Sequence, residues 1–392
     1  MNYRIFYKRN TSYCPEICLP PSKSIEARRM VLDAVHGNVP WVEPDSCDDL
    51  LALDRALRGY VYREHELNVG LSGTALRFLT ALCAVTPGYH VHIVGEPGLE
   101  RRPIGPLAEQ LRRRGAYISA DFAPLEIVGS EIDGSRIDID TLFAADSSQY
   151  VSALMLVQSL MSSPLPEFEV PKGSLSWPYI HMTRRMLAGD IEPEADWSAA
   201  SYFYVVTLLT GVMTSFNPLL SKPNISKQGD SACFRLSSTL GVDTSFHARG
   251  TRLSRDPGEK KGPFHFILGG QPDLVPALAV MAGFDGGGAR LADIAHLRVK
   301  ESNRLESVTA SLRGVGIEAS YDNDSITIGE RQERWNAVVD CCGDHRIAMA
   351  FAPCAAFLPG GLTLLGAECV SKSFPGYFEN LSKFGYKICT VR

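Results

Sequence analysis

Seven cationic residues stand at, or within a turn or two of, a predicted helix start: Lys23, Arg28, Arg77, Arg102, Arg304, Arg346 and Lys372. The first turn of a helix carries backbone N–H groups without intrahelical partners and the positive end of the helix dipole, so it attracts anions. A cation there opposes the dipole at a cost of about 0.3–1 kcal/mol. That cost is intelligible where cation and helix start share a bound anion. If these helix starts converge on one cleft, the cleft holds a positive potential suited to more than one phosphate or carboxylate.

Each stretch alone reads equally well as a capped, solvated helix. In LPPSKSIEARRMVLDAV, Pro20 and Pro21 enforce an extended entry, and Ser22 or Ser24 can cap a helix carrying Arg28. In NVGLSGTALRFLTALCAV, Gly70 and Gly73 permit close backbone approach and Ser72 or Thr74 can cap. No Gly-Lys-Ser/Thr ending follows, so this is not a P-loop. Arg101 and Arg102 precede Pro103, a good first helical residue, while Arg112, Arg113 and Arg114 suit the far end of that helix. In AADSSQYVSALMLVQSL, Asp146 can cap, with Ser147, Ser148 and Gln149 as donors. GSLSWPYIHMT places Ser176 and Tyr179 about a proline turn. In HLRVKESNRLESV, Lys300 and Arg304 are predicted to share a helix face, with Glu301 about 100° round from Lys300. In DCCGDHRIAMAF, Asp344 is expected to cap a helix starting at His345. Its cysteines lack a metal-ligand spacing such as CxxC with HxxxH, so Cys341 and Cys342 read as packed thiols and the chemistry falls to Arg346.

Composition fits a soluble protein with a full core. The 392 residues are 45% hydrophobic and 21% charged, with a net charge of −5, so no global basic field points to nucleic acid. The start of the chain has no apolar signal core, and no apolar run approaches the ~20 residues of a membrane helix. The reading is a cytoplasmic protein whose ten cysteines are free thiols. One local pattern recurs: an amphipathic helix ending in glycine, usually followed by a short strand, at Gly59, Gly115, Gly189, Gly241, Gly316 and Gly385. The spacing of these glycines, 52 to 75 residues, predicts six copies of one α/β unit, each with room for about four strands and two helices.

The motifs LPPSKSIEARR, SGTALRFL, RRPIGPL, DSSQYVSALM, SWPYIHMT, EADWSAASYF, QGD, RVKESNRLESV, GDHRIAMAF and KSFPGYF occur in this order across nearly the whole chain. In them the sequence resembles the 5-enolpyruvylshikimate-3-phosphate synthase family (3-phosphoshikimate 1-carboxyvinyltransferases). The resemblance implies an α/β (α+β) fold, a two-domain inside-out barrel with three repeated β/α units per domain. It places residues 1–20 with 195–392 in one domain and 21–194 in the other, with the active site in the cleft between them. It further implies transfer of the enolpyruvyl group of phosphoenolpyruvate to the 5-hydroxyl of shikimate 3-phosphate, releasing phosphate through a tetrahedral phospho-ketal. It implies no cofactor and no metal, no nucleic-acid or membrane partner, and a monomer.

Matched motif by motif, the resemblance gives Lys23, Gly73, Arg102, Gln149 and Lys372 to the phosphoenolpyruvate phosphate, and Arg304 and Arg346 to its carboxylate. Ser24, Arg28, Ser147, Ser148, Ser176, His296 and Lys300 fall to shikimate 3-phosphate, which Lys23 and Gln149 also reach. Asp273 takes the position that binds the ring hydroxyls and accepts the 5-hydroxyl proton, Glu301 that of an acid/base for the methylene carbon, and Lys23 is the third catalytic candidate. Three positions depart from the pattern. His296 stands where some members have asparagine, and Leu71 where many do. Pro353 should end or kink its helix after Ala352. Two alternatives remain: a UDP-N-acetylglucosamine enolpyruvyl transferase, against which Lys23-Ser24 stands in place of Lys-Asn, and a non-catalytic anion-binding relative.

Overall fold

The computed structural model describes residues 1–9, 14–145, 147–171, 173–218, 220–248, 250–256, 258, 262–284 and 287–391. The expected cap Asp146 lies outside them. The described chain forms two compact units, Met1–Ser22 with Glu194–Arg392, and Lys23–Pro193.

The first unit opens with β1 (Asn2–Tyr7) and β2 (Glu16–Cys18). The chain then builds the whole second unit: α1 (Lys23–Val35), α2 (Asp48–Val61), β3 (Glu66–Asn68), α3 (Gly73–Ala84), β4 (His90–Val94), α4 (Gly105–Arg112), β5 (Tyr117–Ile118), β6 (Leu125–Val128), α5 (Ile139–Phe143), α6 (Gln149–Val157) and α7 (Trp177–Leu187). The first unit resumes with α8 (Trp197–Thr210), β7 (Thr214–Asn217), α9 (Cys233–Thr239), β8 (Val242–His247), β9 (Gly250–Arg255), β10 (Phe264–Ile267), α10 (Val275–Phe284) and β11 (Ala289–Ala292). It closes with α11 (Arg304–Gly314), β12 (Ile317–Tyr321), β13 (Ser325–Arg331), β14 (Ala337–Asp340), α12 (His345–Phe351), β15 (Leu362–Leu365), α13 (Tyr377–Ser382) and β16 (Tyr386–Val391).

Among the described residues four four-stranded sheets share one pattern: β2-β7-β9-β8, β10-β11-β13-β12 and β14-β15-β1-β16 in the first unit, β3-β4-β6-β5 in the second. In each, the first two strands are parallel and the other neighbours antiparallel. A parallel pair needs a crossover, here a helix: α3, α10 and α12 for three sheets, and α8 with the entire second unit for β2 and β7. A second helix then leads into the outer strand β5, β8, β12 or β16 through Gly115, Gly241, Gly316 or Gly385, each with positive φ. The last sheet is completed by β1 from the start of the chain. In the second unit a single parallel bridge, Asp133 with Ser163, flanks α6 as a sheet pair would.

Two of the six glycine joints behave differently. Gly59 lies inside α2, whose turn is taken instead by Arg63 at φ 61°. Gly189 does have positive φ, but among the described residues the chain runs from it to α8 without a regular strand.

The crossover helices form the centres. In the first unit α8, α10 and α12 pack on one another, as do α1, α3 and α6 in the second. WSAASYFYVVTLLT and VPALAVMAGF are apolar all round, the signature of a helix with no solvent face, and nearly every side chain of α8 and α10 is buried. The sheets lie outside, one face on these helices and one in water, so β4 alternates exposed His90, His92 with buried Val91, Ile93. α12 stops at Phe351 and a 3₁₀ turn carries Pro353 onward, as its missing N–H requires.

Candidate active site

The first unit gathers charge at three helix starts. Asp273 lies two residues before α10, Arg304 is the first residue of α11, and Arg346 the second of α12. Asp344 caps α12, accepting from the Arg346 backbone N–H at 3.0 Å. Its carboxylate also takes Arg304 Nε at 2.8 Å and Nη2 at 3.2 Å. Arg304 is almost wholly buried, a site tolerable for a guanidinium only when it is paired. Burial works against its charge, but Asp344, Glu301 and Asp273 outweigh burial and hold the proton more tightly than usual.

The two carboxylate oxygens of Asp273 are divided between the arginines. Oδ1 accepts from Arg304 Nη1 at 3.2 Å and Oδ2 from Arg346 Nη2 at 2.7 Å. Burial alone would raise the Asp273 pKa, but Arg346, Lys300 and Arg304 together hold it well below the usual carboxylate range. Glu301 accepts from Arg304 Nη2 at 2.7 Å. Tyr202, on α8, places its hydroxyl 3.2 Å from Arg346 Nη1.

Lys300 and Arg304 do not share a helix face, contrary to the sequence expectation. A 3₁₀ turn, Ala295–Val299, ends before Lys300, and α11 starts only at Arg304. Ser302 and Asn303 intervene, residue types whose side chains compete with helical backbone bonds. Their non-helical backbone frees Glu301 to reach back to Arg304. His296 sits in the same 3₁₀ turn, buried, with both ring nitrogens lacking a hydrogen-bond partner among the described residues. Burial, then Lys300, lowers its pKa to about 3, so the ring is neutral. Lys372 ends another 3₁₀ turn and is buried, five residues before α13.

The second unit has its own cluster. Lys23 opens α1 and pairs with Asp49 of α2 at 2.7 Å. Gly73 opens α3 after the cap Ser72, which accepts from Ala75. The Arg102 guanidinium lies flat against Gly73: a Cβ there would sit 2.9 Å from Arg102 Nε and 3.0 Å from Cζ. Pro103 does not start a helix; α4 begins at Gly105, and Pro106 occupies the early position. That leaves the Pro103 carbonyl to accept from Arg77 at 3.0 and 3.3 Å and from the Tyr150 hydroxyl at 2.9 Å. Arg77 also donates to Gln149 Oε1 at 2.6 Å, while Gln149 Nε2 donates to Thr74 at 3.0 Å. These bonds fix which way the Gln149 amide points.

Arg28 is buried in α1 with neutral partners: Thr183 at 2.8 Å, the Ser24 carbonyl at 2.8 Å, and Ser152 and the Tyr179 carbonyl at 3.3 Å. Burial brings its pKa down to about 10, still charged at neutral pH. Ser147 accepts from the Gln149 N–H at 3.3 Å, and Ser148 is buried beside it. Ser176, also buried, takes a left-handed conformation at φ 54° just before α7.

Of the cysteines in the 340–351 stretch, Cys341 is buried as expected but Cys342 is exposed, in a turn at φ 52°. Burial and Asp340 push its thiol up, away from the reactive thiolate. Four polar residues escape a reading of the sequence: Asp49, Tyr202, Thr183 and Asp230. Asp230 lies in QGD, accepts from the Ser198 hydroxyl, and is pushed by burial, then by Asp273, up to about 7. The repeat is the usable signal, because Asp49 and Asp230 occupy the second-helix start that Arg304 occupies in its own unit.

The EPSP synthase (3-phosphoshikimate 1-carboxyvinyltransferase) family model matches residues 54–189 and 187–381. A 3-phosphoshikimate 1-carboxyvinyltransferase of Bacteroides fragilis is 33% identical over 404 residues, covering 95% of each chain. One of Syntrophobacter fumaroxidans is 33% identical over 348 residues, covering 80% of this chain and 79% of its own. Among solved structures, an EPSP synthase of Acinetobacter baumannii has a TM-score of 0.70 at 20% identity, covering 99% of this chain and 100% of its own. The enolpyruvyl transferase NikO of Streptomyces tendae has a TM-score of 0.65 at 13% identity, covering 99% and 98%. These likenesses show the two-domain α/β fold.

Proposed function

The chain belongs to the EPSP synthase (3-phosphoshikimate 1-carboxyvinyltransferase) family, and we propose that the two charged clusters carry that family's reaction. It is a transferase of the shikimate pathway, and so of aromatic amino acid biosynthesis. Its substrates are phosphoenolpyruvate and shikimate 3-phosphate. The oxygen of the 5-hydroxyl adds to carbon 2 of phosphoenolpyruvate while carbon 3 gains a proton. Carbon 3 then loses a proton as the carbon–phosphate oxygen bond breaks and phosphate leaves.

One observation carries the assignment of roles: Arg304 and Arg346 already grip a carboxylate, that of Asp273, one oxygen each. A planar guanidinium pair suits a substrate carboxylate equally well. While both arginines hold it, Asp273 is a poor base. When they turn to the carboxylate of phosphoenolpyruvate, Asp273 loses two of the three cations that depress its pKa, keeping Lys300, and becomes better able to take the 5-hydroxyl proton. Substrate binding and activation of the base are thus one event. Glu301, on Arg304, serves carbon 3 as acid and then base. Lys300 and the neutral His296 face shikimate 3-phosphate, and the two ring nitrogens without partners suit its hydroxyls.

Lys23, Arg102, Gln149, Lys372 and the backbone at Gly73 take the phosphate of phosphoenolpyruvate. Ser24, Arg28, Ser147, Ser148 and Ser176 take shikimate 3-phosphate, and Arg77 positions Gln149. The reaction so written uses the chain's own groups without a cofactor, in a cytoplasmic monomer.

The test is Arg346→Lys and Arg346→Ala. Both should raise the KM for phosphoenolpyruvate and lower kcat by about 10²-fold or more, as loss of an electrostatic donor does. Calorimetric affinity for shikimate 3-phosphate should change little. An unaltered phosphoenolpyruvate KM in the folded variants contradicts the clamp.

A further inference from the structure

The outer face of the β3-β4-β6-β5 sheet carries a group of metal-ligating side chains that the reaction above does not use. His90 and His92 are alternate residues of β4 and point to the same, exposed face, as the two-residue period of a strand requires. Glu126 of β6 is the direct antiparallel partner of His92, and Glu66 of β3 its direct parallel partner. The buried neighbours Leu67, Val91, Ile93 and Ile127 fill the opposite face. The sheet therefore holds the polar set in fixed register, and none of the residues that these strands turn to that face is lysine or arginine.

One ligand atom from each of His90, His92 and Glu126 lies within 4.8 Å of the others. His90 Nε2 and Glu126 Oε1 are 2.5 Å apart, and the imidazole rings stand 5.9 Å apart, inclined by 34°. Ligands in a tetrahedral zinc site lie about 3.4 Å from one another, given metal–ligand bonds of about 2.0–2.2 Å. The ligand atoms of the group, within 4.8 Å of one another, need draw in by no more than about 1.4 Å to reach that spacing. Two imidazoles, borderline nitrogen donors, set beside one carboxylate suit Zn²⁺ and its neighbours rather than the all-oxygen shells of Mg²⁺ or Ca²⁺.

We propose that His90, His92 and Glu126 form a transition-metal site of the Zn²⁺ class on the outer face of this sheet. The fourth position is open to water or to Glu66. A metal there ties β4 to β6, so it stabilises the folded chain by an amount that grows with the logarithm of free metal above the dissociation constant.

The experiment uses the untagged full chain, freed of metal by chelator and kept reduced. It is titrated with Zn²⁺ by calorimetry and with Co²⁺ by visible absorption. One ion should bind per chain, with Co²⁺ bands of nitrogen and oxygen ligation and a rise in Tm with Zn²⁺. His90→Ala/His92→Ala should abolish binding and Glu126→Gln should weaken it by about 10-fold or more. Both variants should keep the metal-free Tm and activity of the parent, since the side chains are on the surface. No binding by the parent, binding unchanged in the double histidine variant, or Co²⁺ bands of thiolate ligation would each overturn the proposal. The last outcome assigns the ion to the free cysteines.

Discussion

At the level of single residues, contacts decide more than residue type. Gly73 is needed because the Arg102 guanidinium occupies the space of its missing side chain. Gly73→Ala should push Arg102 aside and raise the KM for phosphoenolpyruvate by about 10-fold or more, with Tm nearly unchanged, since neither group fills the apolar core. Steady-state kinetics with a thermal melt check this. His296 gives a pH prediction. Its folded pKa of about 3 lies below the ordinary histidine value near 6.5. The stability of the neutral ring is therefore present above about pH 6.5 and lost as pH falls toward the folded value. His296→Asn should lose less Tm than the parent between about pH 6.5 and 4; parallel curves refute the account. Replacing Cys341 and Cys342 by alanine should leave turnover largely intact. Most of the charged residues are legible in the sequence from their place beside helix starts. Tyr202 and Thr183 are not, because each lies mid-helix and acquires its role only when a distant arginine packs on it.

Elements explain why those residues meet. Each sheet has the same strand order and the same crossover, so each repeat delivers two helix starts, and the candidate residues occupy them. The recurrent helix–glycine joint makes this visible in the amino-acid sequence itself: Gly115, Gly241, Gly316 and Gly385 all lead into an outer strand. Gly59 misleads because helical spacing alone does not say where a helix stops, and Arg63 takes the turn. The Lys300–Arg304 face fails for a similar reason, since four residues of spacing imply a shared face only if the helix is unbroken. Asp344 joins α11 to α12. It caps α12 and neutralises the buried Arg304 at once. Asp344→Ala should lower unfolding free energy by more than the about 1 kcal/mol of a lost cap and by less than the about 3–5 kcal/mol of a wholly unpaired buried charge, since Arg304 keeps Glu301 and Asp273. Urea unfolding measures the loss.

For the whole molecule, the net charge of −5 hides a dense charged cluster in each unit: arginines paired with Asp273, Glu301 and Asp344 in the first, and Arg28, Arg77 and Arg102 beside the Lys23–Asp49 pair in the second. Composition carries no trace of these local fields, because a sum over the chain does not register where charges gather; the order of motifs does. No helix among the described residues is long and apolar enough to cross a membrane. Under the roles proposed above, phosphate is released only when both substrates engage their cations and the Asp273 carboxylate is given up by Arg304 and Arg346. The most direct test is phosphate release by the purified chain in the presence of a chelator. Release should require phosphoenolpyruvate and shikimate 3-phosphate together and persist without added metal. Release with UDP-N-acetylglucosamine in place of shikimate 3-phosphate, or none with the proper pair, would contradict it.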